Sequence, residues 1–426
     1  MKKRVLIFSD NPFGHSGIGA MCKHMCIQLL KQGFEVAVLA VMNSLPPGTG
    51  PNNIHKTEFG DIKVKITQSF ADIPVLFDFM REIKPDLLLL SQDNHFYLEL
   101  FKHTPAIRRD IPILFCAIWD TYLVPQPTGL YHYNLPHYGS VDAIGTVSHQ
   151  TTTFVNNVLT KQEYGKKPIV NYIGLGRDPE LFKPLLESDY TELRKKLTGN
   201  KDYDFIAFWC GRNQHRKHAS DAIEAWRLFN ESLAPEQANK TLLVLHTQAV
   251  PGRGQEMVGT DLNAVCMALA PLQNIVLDCS PCPEPQLNQL YNIADVYINN
   301  SSSEGFGLCA NEAALAGRPL ILNPTGGLKD QICKDGCYAL QNNRTIQGSP
   351  LTPYLYDDLV PIESIVNGFQ SWYNINKDER NNRGLLNREH ALANGLTSEA
   401  FSLKVVELVK TTLANFKPQP LFNLYA

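Results

Sequence analysis

Short apolar runs alternate with longer segments of helical period along this chain, and no other feature constrains the fold as much. Val5–Phe8 is followed by a glycine-containing turn, a helix-like stretch over Ile18–Lys31 and a second apolar run over Val36–Val41. Buried parallel strands read as short continuous apolar runs, and a helix usually connects each strand to the next. The alternation restarts in the second half, with Phe205–Trp209 and a helix-like stretch over Ala219–Asn230. We therefore expect an α/β protein with two doubly wound parallel sheets.

The domain organisation follows from the length of the chain and from one proline-marked connection. A chain of 426 residues fits two domains of about 200 residues each. Ile169–Gly176 reads as a strand, and the Arg-Asp-Pro and Lys-Pro sequences after it are typical of a link between domains. We expect an N-terminal domain over residues 1–175, a C-terminal domain over residues 176–395, and a final helix and tail over residues 396–426 that packs back on the N-terminal domain. After residue 340 the sequence becomes polar and rich in asparagine, and we assign no structure there before the final helix.

The overall charge indicates which classes of partner the protein can bind, and the cysteines indicate its cellular compartment. A net charge of -3 and a sequence pI near 6.5 give no basic field that would attract nucleic acid. The first apolar run is too short for a signal-peptide core or a membrane span. The 10 cysteines are scattered, and Cys116 and Cys210 lie inside apolar runs, as free thiols do in a reducing compartment. We expect a cytoplasmic protein that has no transmembrane segment and does not bind nucleic acid.

Cys279 and Cys282 have the spacing of half a zinc site or of a redox pair. No second Cys-x-x-Cys or histidine pair follows at the spacing of a zinc ribbon. We therefore expect no bound metal and no cofactor.

A pair of glutamates follows the apolar run Val296–Ile298. Glu304 lies in a polar loop, and Glu312 lies inside the alanine-rich, helix-like segment that comes next. Ligands of open parallel sheets bind at the carboxyl ends of the strands. Gly305 and Gly307 let the backbone approach a ligand, and the N–H groups at a helix start bind phosphate. Carboxylates accept hydrogen bonds from vicinal hydroxyls, so this stretch fits a sugar nucleotide; the alternative is a helix-capping carboxylate beside a solvated glutamate.

A cluster of cations follows the apolar run Phe205–Trp209. Arg212, Arg216 and Lys217 crowd the turn before the next helix-like stretch. An arginine fork and a lysine point charge are the usual pair around a diphosphate. The pattern therefore indicates an anion site, with a solvated basic turn as the alternative.

A glycine-rich loop joins the first predicted strand to the first predicted helix. Its glycines, Gly14, Gly17 and Gly19, do not have the G-x-G-x-x-G spacing, and the second apolar run ends without an acidic residue that would hold a ribose. The sequence G-x-x-x-x-G-K-[ST] is also absent. These patterns argue against NAD binding and against a P-loop kinase or ATPase.

Together these motifs resemble the retaining glycosyltransferases of the GT-B fold, a family that includes bacterial mannosyl- and glucosyltransferases and is distantly similar to glycogen synthase. The glutamate pair resembles the family's donor motif, the basic turn resembles its diphosphate clamp, and the glycine loop has the place of its N-terminal glycine loop. The resemblance runs from residue 4 to about residue 335 and includes the family's passage between domains. The matching segments are Gly14–Gly19, Val147-Ser148, Ile173–Pro184, Gly211-Arg212 with Lys217, Glu304–Leu308, Glu312-Ala313 and Gly317-Arg318-Pro319.

The resemblance implies a GT-B architecture, with two Rossmann-like domains facing across a cleft and the donor mainly on the C-terminal one. It implies transfer of a hexosyl group from a nucleotide-diphosphate sugar to an acceptor hydroxyl, with retention of anomeric configuration. Arg212 and Lys217 would neutralise the leaving diphosphate, Glu312 would bind ribose, and Glu304 would position the sugar. The remaining donor-binding residues would be Gly14, Gly17, Gly305, Phe306, Gly307 and Leu308. The acceptor, whether sugar, lipid or protein, would lie on the N-terminal domain.

One position departs from the family's pattern. The family usually carries a histidine that touches the donor sugar near the end of an N-domain strand, and here that place is Trp119, followed by Asp120. Asp120 is the candidate substitute, so we include it among the catalytic residues. A strand-end aspartate with a structural hydrogen bond is an equal alternative. His95 and His137 are further candidates nearby in the sequence.

Two other functions remain open on these residues. A nucleotide-sugar epimerase would use similar nucleotide contacts, although the spacing of the glutamate pair argues against it. A non-catalytic protein that binds a nucleotide sugar or a glycan would account for the missing histidine. The residues do not specify the nucleotide, the sugar, the acceptor or the linkage.

Overall fold

Two parallel β-sheets, one in each half of the chain, form the frame of the protein. The structure is a computed structural model that describes residues 2–14, 16–41, 52–121, 128–163, 165–251, 259–269, 274–347 and 355–418. Among these residues the first sheet has eight strands and the second has six. The expected α/β class with two doubly wound domains is confirmed. The residue limits assigned to the domains stay a prediction.

The first half alternates strands and helices up to residue 172. Its strands are β1 (Arg4–Asp10), β2 (Glu35–Val41), β3 (Asn52–Thr57), β4 (Gly60–Thr67), β5 (Leu87–Ser91), β6 (Ile113–Ala117), β7 (Ala143–Thr146) and β8 (Ile169–Tyr172). Its helices are α1 (Gly17–Lys31), α2 (Ile73–Ile83), α3 (Leu98–Phe101), α4 (Thr104–Ile107), α5 (Thr128–Tyr138) and α6 (His149–Leu159).

The first sheet has the strand order β3-β4-β2-β1-β5-β6-β7-β8, and its strands are parallel except for the antiparallel pair β3 and β4. Successive side chains of a strand point to opposite faces, and β1 follows this rule. Val5 and Ile7 pack into the core beneath α1, whereas Leu6 and Phe8 pack into the core beneath α2. Both faces of β1 are therefore buried, which is why its sequence is apolar throughout.

The second half begins after the last strand of the first sheet. Its strands are β9 (Phe205–Cys210), β10 (Thr241–His246), β11 (Ile275–Asp278), β12 (Val296–Asn299), β13 (Leu320–Leu322), β14 (Cys337–Ala339), β15 (Asn343–Gln347) and β16 (Leu355–Leu359). Its helices are α7 (Thr191–Thr198), α8 (Ala219–Glu231), α9 (Pro235–Ala238), α10 (Leu262–Leu269), α11 (Glu284–Ile293), α12 (Leu308–Leu315), α13 (Ile362–Tyr373), α14 (Lys377–Ala393) and α15 (Ser398–Asn415).

The second sheet has the order β11-β10-β9-β12-β13-β14, and each of these pairs is parallel. Helices α8 and α13 cover one face, and α11 and α12 cover the other. Strands β9 and β12 are neighbours at the centre, with Val296 paired to Ala207. The loops that follow these two strands therefore emerge side by side at the carboxyl edge of the sheet.

The apolar runs predicted the central strands correctly, and the errors lie at the sheet edges and near the C-terminus. Ile169–Gly176 is a strand only to Tyr172, because the chain then turns through Gly174, whose φ is +67°. Helices α13 and α14 occupy the asparagine-rich region in which we assigned no structure. In the part of the chain that the structure describes, no helix has the length and apolar character needed to cross a membrane.

The chain passes between the two sheets twice, and the two passages lie against each other. The first leaves β8 and the second enters α15, and they meet at a parallel bridge between Arg177 and Thr397. Ser398 N–H donates to the Arg177 carbonyl at 3.0 Å. Helix α15 then packs on the first half, where Lys410 Nζ donates to Gln32 Oε1 at 3.1 Å. We call residues 173–182 the first crossing and residues 394–398 the second crossing.

Gly176→Ala should destabilise the protein strongly, because a methyl group there would overlap the Leu396 backbone of the second crossing. We expect a loss of about 3 kcal/mol, as for overpacking of a closed contact. Gly199→Ala is the matched control, since its φ of +61° carries backbone strain of about 1 kcal/mol but the space around it is open. Thermal unfolding followed by circular dichroism measures both. Equal losses would show that the crossings are not packed as described.

Candidate active site

Glu304 lies in the loop after β12, at the carboxyl edge of the second sheet, and is only 5% exposed. Lys217 Nζ forms an ion pair with its Oε1 atom. Ser301 Oγ and Asn299 Nδ2 donate to the same oxygen at 3.0 and 3.3 Å. Arg216 Nη1 lies 3.3 Å from the other oxygen, Oε2. Oε2 therefore has fewer partners than Oε1 among the described residues.

The charge of Glu304 is set by these cations. Burial opposes ionisation of the carboxyl, but the charges of Lys217 and Arg216 outweigh this effect and lower its pKa to about 2. The pKa of Lys217 is lowered, chiefly by burial and then by the neighbouring Arg216. At neutral pH the site therefore holds a buried carboxylate against two cations.

Hydrogen bonds between the two loops bring Lys217 to Glu304. Ser302 N–H donates to the Arg216 carbonyl at 2.8 Å, and Asn300 Nδ2 donates to the His218 carbonyl at 2.7 Å. These bonds satisfy buried backbone groups of the basic turn that follows β9. Because β9 and β12 are adjacent, Lys217 and Glu304, which are 87 positions apart in the sequence, belong to one cluster.

Gly326 and Gly327, which the sequence analysis did not single out, pack against the loop that carries Glu304. Gly326 has φ +49°, and a side chain there would overlap the Glu304 carbonyl. Gly327 N–H donates to the same carbonyl at 2.9 Å. A Gly-Gly pair shortly after a predicted strand was the available signal.

Glu312 lies one turn inside α12 and is 5% exposed. Its Oε1 atom forms an ion pair with Arg177 Nε at 2.8 Å, and its Oε2 atom accepts from the Tyr291 hydroxyl at 2.8 Å. Burial raises the pKa of Glu312, and Arg177 and the Tyr291 hydrogen bond oppose that rise. Sequence analysis did not single out Arg177 or Tyr291, since neither lies near Glu312 in the chain.

The predicted donor-binding glycines lie where the two halves meet. A methyl group on Gly305 would overlap Ile118 of the first half, and one on Gly17 would lie 2.9 Å from Leu308 Cδ1. Gly307 caps α12 with φ +87°. Gly17 thus places the start of α1 beside the start of α12.

Phe306 and Gly14 have structural contacts. Phe306 is buried, and its carbonyl accepts a hydrogen bond from Gln331 Nε2 at 2.5 Å. Gly14 N–H donates to the Asn11 carbonyl at 3.0 Å, which closes the glycine loop onto itself. The role of Gly14 in donor binding stays a prediction.

Asp120 and Trp119, at the place of the family's histidine, point in different directions. Trp119 is buried in the first half and stacks on Phe154 with 3.7 Å between ring centroids. Asp120 is at the cleft, where its carbonyl accepts from Glu304 N–H at 3.2 Å. Burial and the charge of Asp120 raise the pKa of Asp93, which follows the neighbouring strand β5. The catalytic assignment of Asp120 stays a prediction.

The remaining candidates lie apart from this cluster. Arg212 is exposed at the start of the basic turn, and Arg216 takes the place beside Glu304. His137 is buried, and burial lowers its pKa to about 4. Cys279 is exposed and Cys282 partly buried. The described residues contain no group of three histidine, cysteine or acidic side chains that could hold a metal ion.

Comparison with known proteins finds similar sequences among glycosyltransferases. A family model described as glycosyl transferases group 1 matches residues 272–347, the segment that carries both glutamates. The D-inositol 3-phosphate glycosyltransferase of Thermomonospora curvata is 28% identical over 181 residues, which are 41% of this chain and 40% of that protein. The protein of the same name from Kribbella flavida is 30% identical over 166 residues, which are 39% of this chain and 37% of that one. These alignments span well under two thirds of the relatives' length.

Solved structures match nearly the whole chain. The sucrose-phosphate synthase of Thermosynechococcus elongatus has a TM-score of 0.72 at 14% identity and covers 97% of this chain and 100% of its own. The chain has the GT-B fold. A second GT-B structure, described as trehalose-6-phosphate from E. coli bound with UDP-2-fluoro glucose, has a TM-score of 0.67 at 12% identity over 95% of this chain and 99% of its own. The resemblance to GT-B glycosyltransferases inferred from the motifs is confirmed.

Lys217→Met should destabilise this GT-B protein by about 3 kcal/mol, because a buried carboxylate that loses its partner is strongly disfavoured. The double variant Lys217→Met/Glu304→Gln should recover part of the loss, since it removes both charges. Urea unfolding of wild type, both single variants and the double variant gives the coupling between the two residues. A double variant less stable than Lys217→Met would contradict a direct ion pair.

Proposed function

We propose that the protein is a retaining glycosyltransferase that moves a hexosyl group from a nucleotide-diphosphate sugar to an acceptor hydroxyl. The observation that carries the proposal is the cluster of Glu304, Lys217 and Arg216 at the carboxyl edge of the second sheet, with Glu312 on the adjoining helix. An open parallel sheet binds its ligands at this edge. The cluster faces Asp120 of the first half, so a donor bound there meets an acceptor on the N-terminal domain.

The diphosphate would bind between the basic turn and the start of α12. Backbone N–H groups in the first turn of a helix attract phosphate, and Gly305 and Gly307 keep that backbone free of side chains. Arg212 is exposed at the start of the basic turn and has no ion pair among the described residues, so its guanidinium is available to a phosphate. Lys217 and Arg216 add charge from the other side.

The chemistry would begin with departure of the diphosphate. The bond between the anomeric carbon and the phosphate oxygen breaks, and positive charge develops on the sugar. Glu304 is ionised at neutral pH, and its Oε2 atom is the oxygen with room for a sugar hydroxyl or for that charge. The acceptor hydroxyl would attack from the face that the phosphate leaves, and its proton would pass to the departing phosphate oxygen. Closure of the cleft would exclude water that would otherwise hydrolyse the donor.

Two comparisons support a nucleotide-sugar donor. The matching relatives are named D-inositol 3-phosphate glycosyltransferases, and one similar structure holds UDP-2-fluoro glucose. The acceptor is a separate question, because the alignments with the relatives cover only part of their length. Free cysteines at all ten positions support the proposed cytoplasmic location.

Glu304→Gln and Arg212→Ala should each reduce turnover about 100-fold or more, since each removes charge stabilisation of the transition state. The assay is binding and hydrolysis of a panel of UDP-, GDP- and ADP-sugars by wild type and both variants. Arg227→Ala is the matched control, because Arg227 pairs with Glu224 and Glu231 on the outer face of α8. No binding of any donor at millimolar concentration would refute the proposal. Binding without turnover would identify a nucleotide-sugar-binding protein instead.

EDTA should leave the activity on the best donor unchanged, because the proposal assigns neutralisation of the diphosphate to Lys217, Arg216 and Arg212. Added Mg²⁺ or Mn²⁺ should likewise have no effect. The hydrolysis assay with and without chelator measures this. A loss of activity with EDTA that Mg²⁺ or Mn²⁺ restores would overturn the metal-independent mechanism.

A further inference from the structure

Arg177 of the first crossing is buried, with 6% of its surface exposed, and its contacts reach three separate elements. Its side chain forms ion pairs with Glu312 on α12 and Glu284 on α11. Its N–H donates to Asn311 Oδ1 at 2.8 Å, and its carbonyl accepts from Ser398 of the second crossing. The residue thus joins both crossings to the helix that carries Glu312.

The contacts of Glu312 leave it able to accept further hydrogen bonds. Arg177 Nε forms an ion pair with Oε1, and the Tyr291 hydroxyl donates a hydrogen bond to Oε2. A carboxylate has about four lone-pair sites, so one site on each oxygen is left for a pair of vicinal hydroxyls. The ion pair and the hydrogen bond, one on each oxygen, also restrain the orientation of the carboxylate.

The surroundings of Glu312 make the charge of Arg177 necessary. The groups that face Glu312 from the neighbouring elements include Glu284 and Tyr291 on α11 and the thiols Cys210 and Cys282, and none of these is a cation. His24 on α1 faces Arg177, and burial and the Arg177 charge lower its pKa to about 4, so it is neutral. Burial raises the pKa of Glu312, and Arg177 opposes the rise.

We propose that Arg177 is a positioning residue, which holds the Glu312 carboxylate ionised and oriented so that it accepts the two ribose hydroxyls of the donor nucleotide. The inference rests on the proposed function. Arg177 acts through Glu312 and touches neither ribose nor diphosphate. Without it, the carboxylate loses its cation and its orientation, and binding of the ribose hydroxyls is lost while binding of the diphosphate remains.

The experiment compares binding of UDP, GDP and ADP with binding of their 2′,3′-dideoxy counterparts by isothermal titration calorimetry. Wild type should prefer the ribonucleotide that it binds best over the dideoxy form. Arg177→Met should reduce that preference about tenfold or more, because it weakens the charge-assisted hydrogen bonds from the ribose hydroxyls to Glu312. Its affinity for the dideoxy form should stay close to that of wild type. Arg177→Lys should keep part of the preference, since it retains the charge but not the planar fork.

Arg388→Met is the matched structural control. Arg388 lies on α14 and donates to the carbonyls of Phe182 and Pro179 in the same crossing, at 3.0 and 3.1 Å, and to the Leu315 carbonyl at the end of α12; it has no hydrogen bond or ion pair with Glu312 among the described residues. Damage to the crossing and to the end of α12 should change the affinities for both nucleotide forms equally. Glu312→Gln is the positive control and should lose the ribose preference as Arg177→Met does.

The other possible binding results each contradict one claim: the role of Arg177, the ribose contact of Glu312, or the proposed function. An unchanged preference in Arg177→Met, with the preference lost in Glu312→Gln, would refute the role of Arg177 alone. If Arg177→Met does not fold, Arg177→Lys tests the same role. The role of Arg177 is refuted if Arg177→Lys loses affinity equally for the ribonucleotide and for the dideoxy form, so that the preference between them is unchanged. Unchanged preference in Glu312→Gln would refute the ribose contact and the inference with it, while turnover of a nucleotide sugar would keep the proposed function. Failure of wild type to bind any of the three diphosphates would refute both.

Discussion

The buried ion pair between Glu304 and Lys217 is the interaction on which the rest of the site depends. A carboxylate removed from water is strongly unfavourable unless a cation and hydrogen bonds replace the lost hydration. Lys217, Ser301 and Asn299 supply these partners on one oxygen. They can do so only because β9 and β12 are neighbours, so that the loops after both strands share one edge. The sheet order thus makes a charged group tolerable at the carboxyl edge, where open parallel sheets bind their ligands.

The contact between the two halves depends on the absence of side chains. Gly305 lies against Ile118, Gly17 lies against Leu308, and Gly326 lies against the Asp120 carbonyl. At each place a methyl group would overlap or crowd the opposite surface. Backbone groups from both halves therefore line the cleft directly, and fixed N–H groups need no reorganisation when negative charge develops near them.

The sequence carried enough information to predict the sheet centres and to place Glu304, Lys217 and Glu312 at the carboxyl edge of the second sheet. The physical reason is the same in both cases. Strands such as β1 and β9 are buried on both faces, so they appear as continuous apolar runs, and polar residues directly after them fall at the ligand edge. The hairpin β15–β16 and helix α14 are partly exposed, and a mixed polar sequence gives no such signal. Arg212 and Arg216 could not be distinguished, because which of them faces Glu304 depends on the conformation of a single turn. Arg177 was missed because its partner lies in a different element, far along the chain.

The two adjacent crossings determine how the halves can move. A single connection would leave one domain free to rotate about three axes relative to the other. Two connections held together at Arg177 and Thr397 act as one hinge. They permit rotation chiefly about the line that joins them. The path by which the cleft opens is therefore set by covalent connectivity as well as by the surfaces that meet. A cut in the chain between α14 and α15 would release that restriction without removing any residue of the cluster around Glu304.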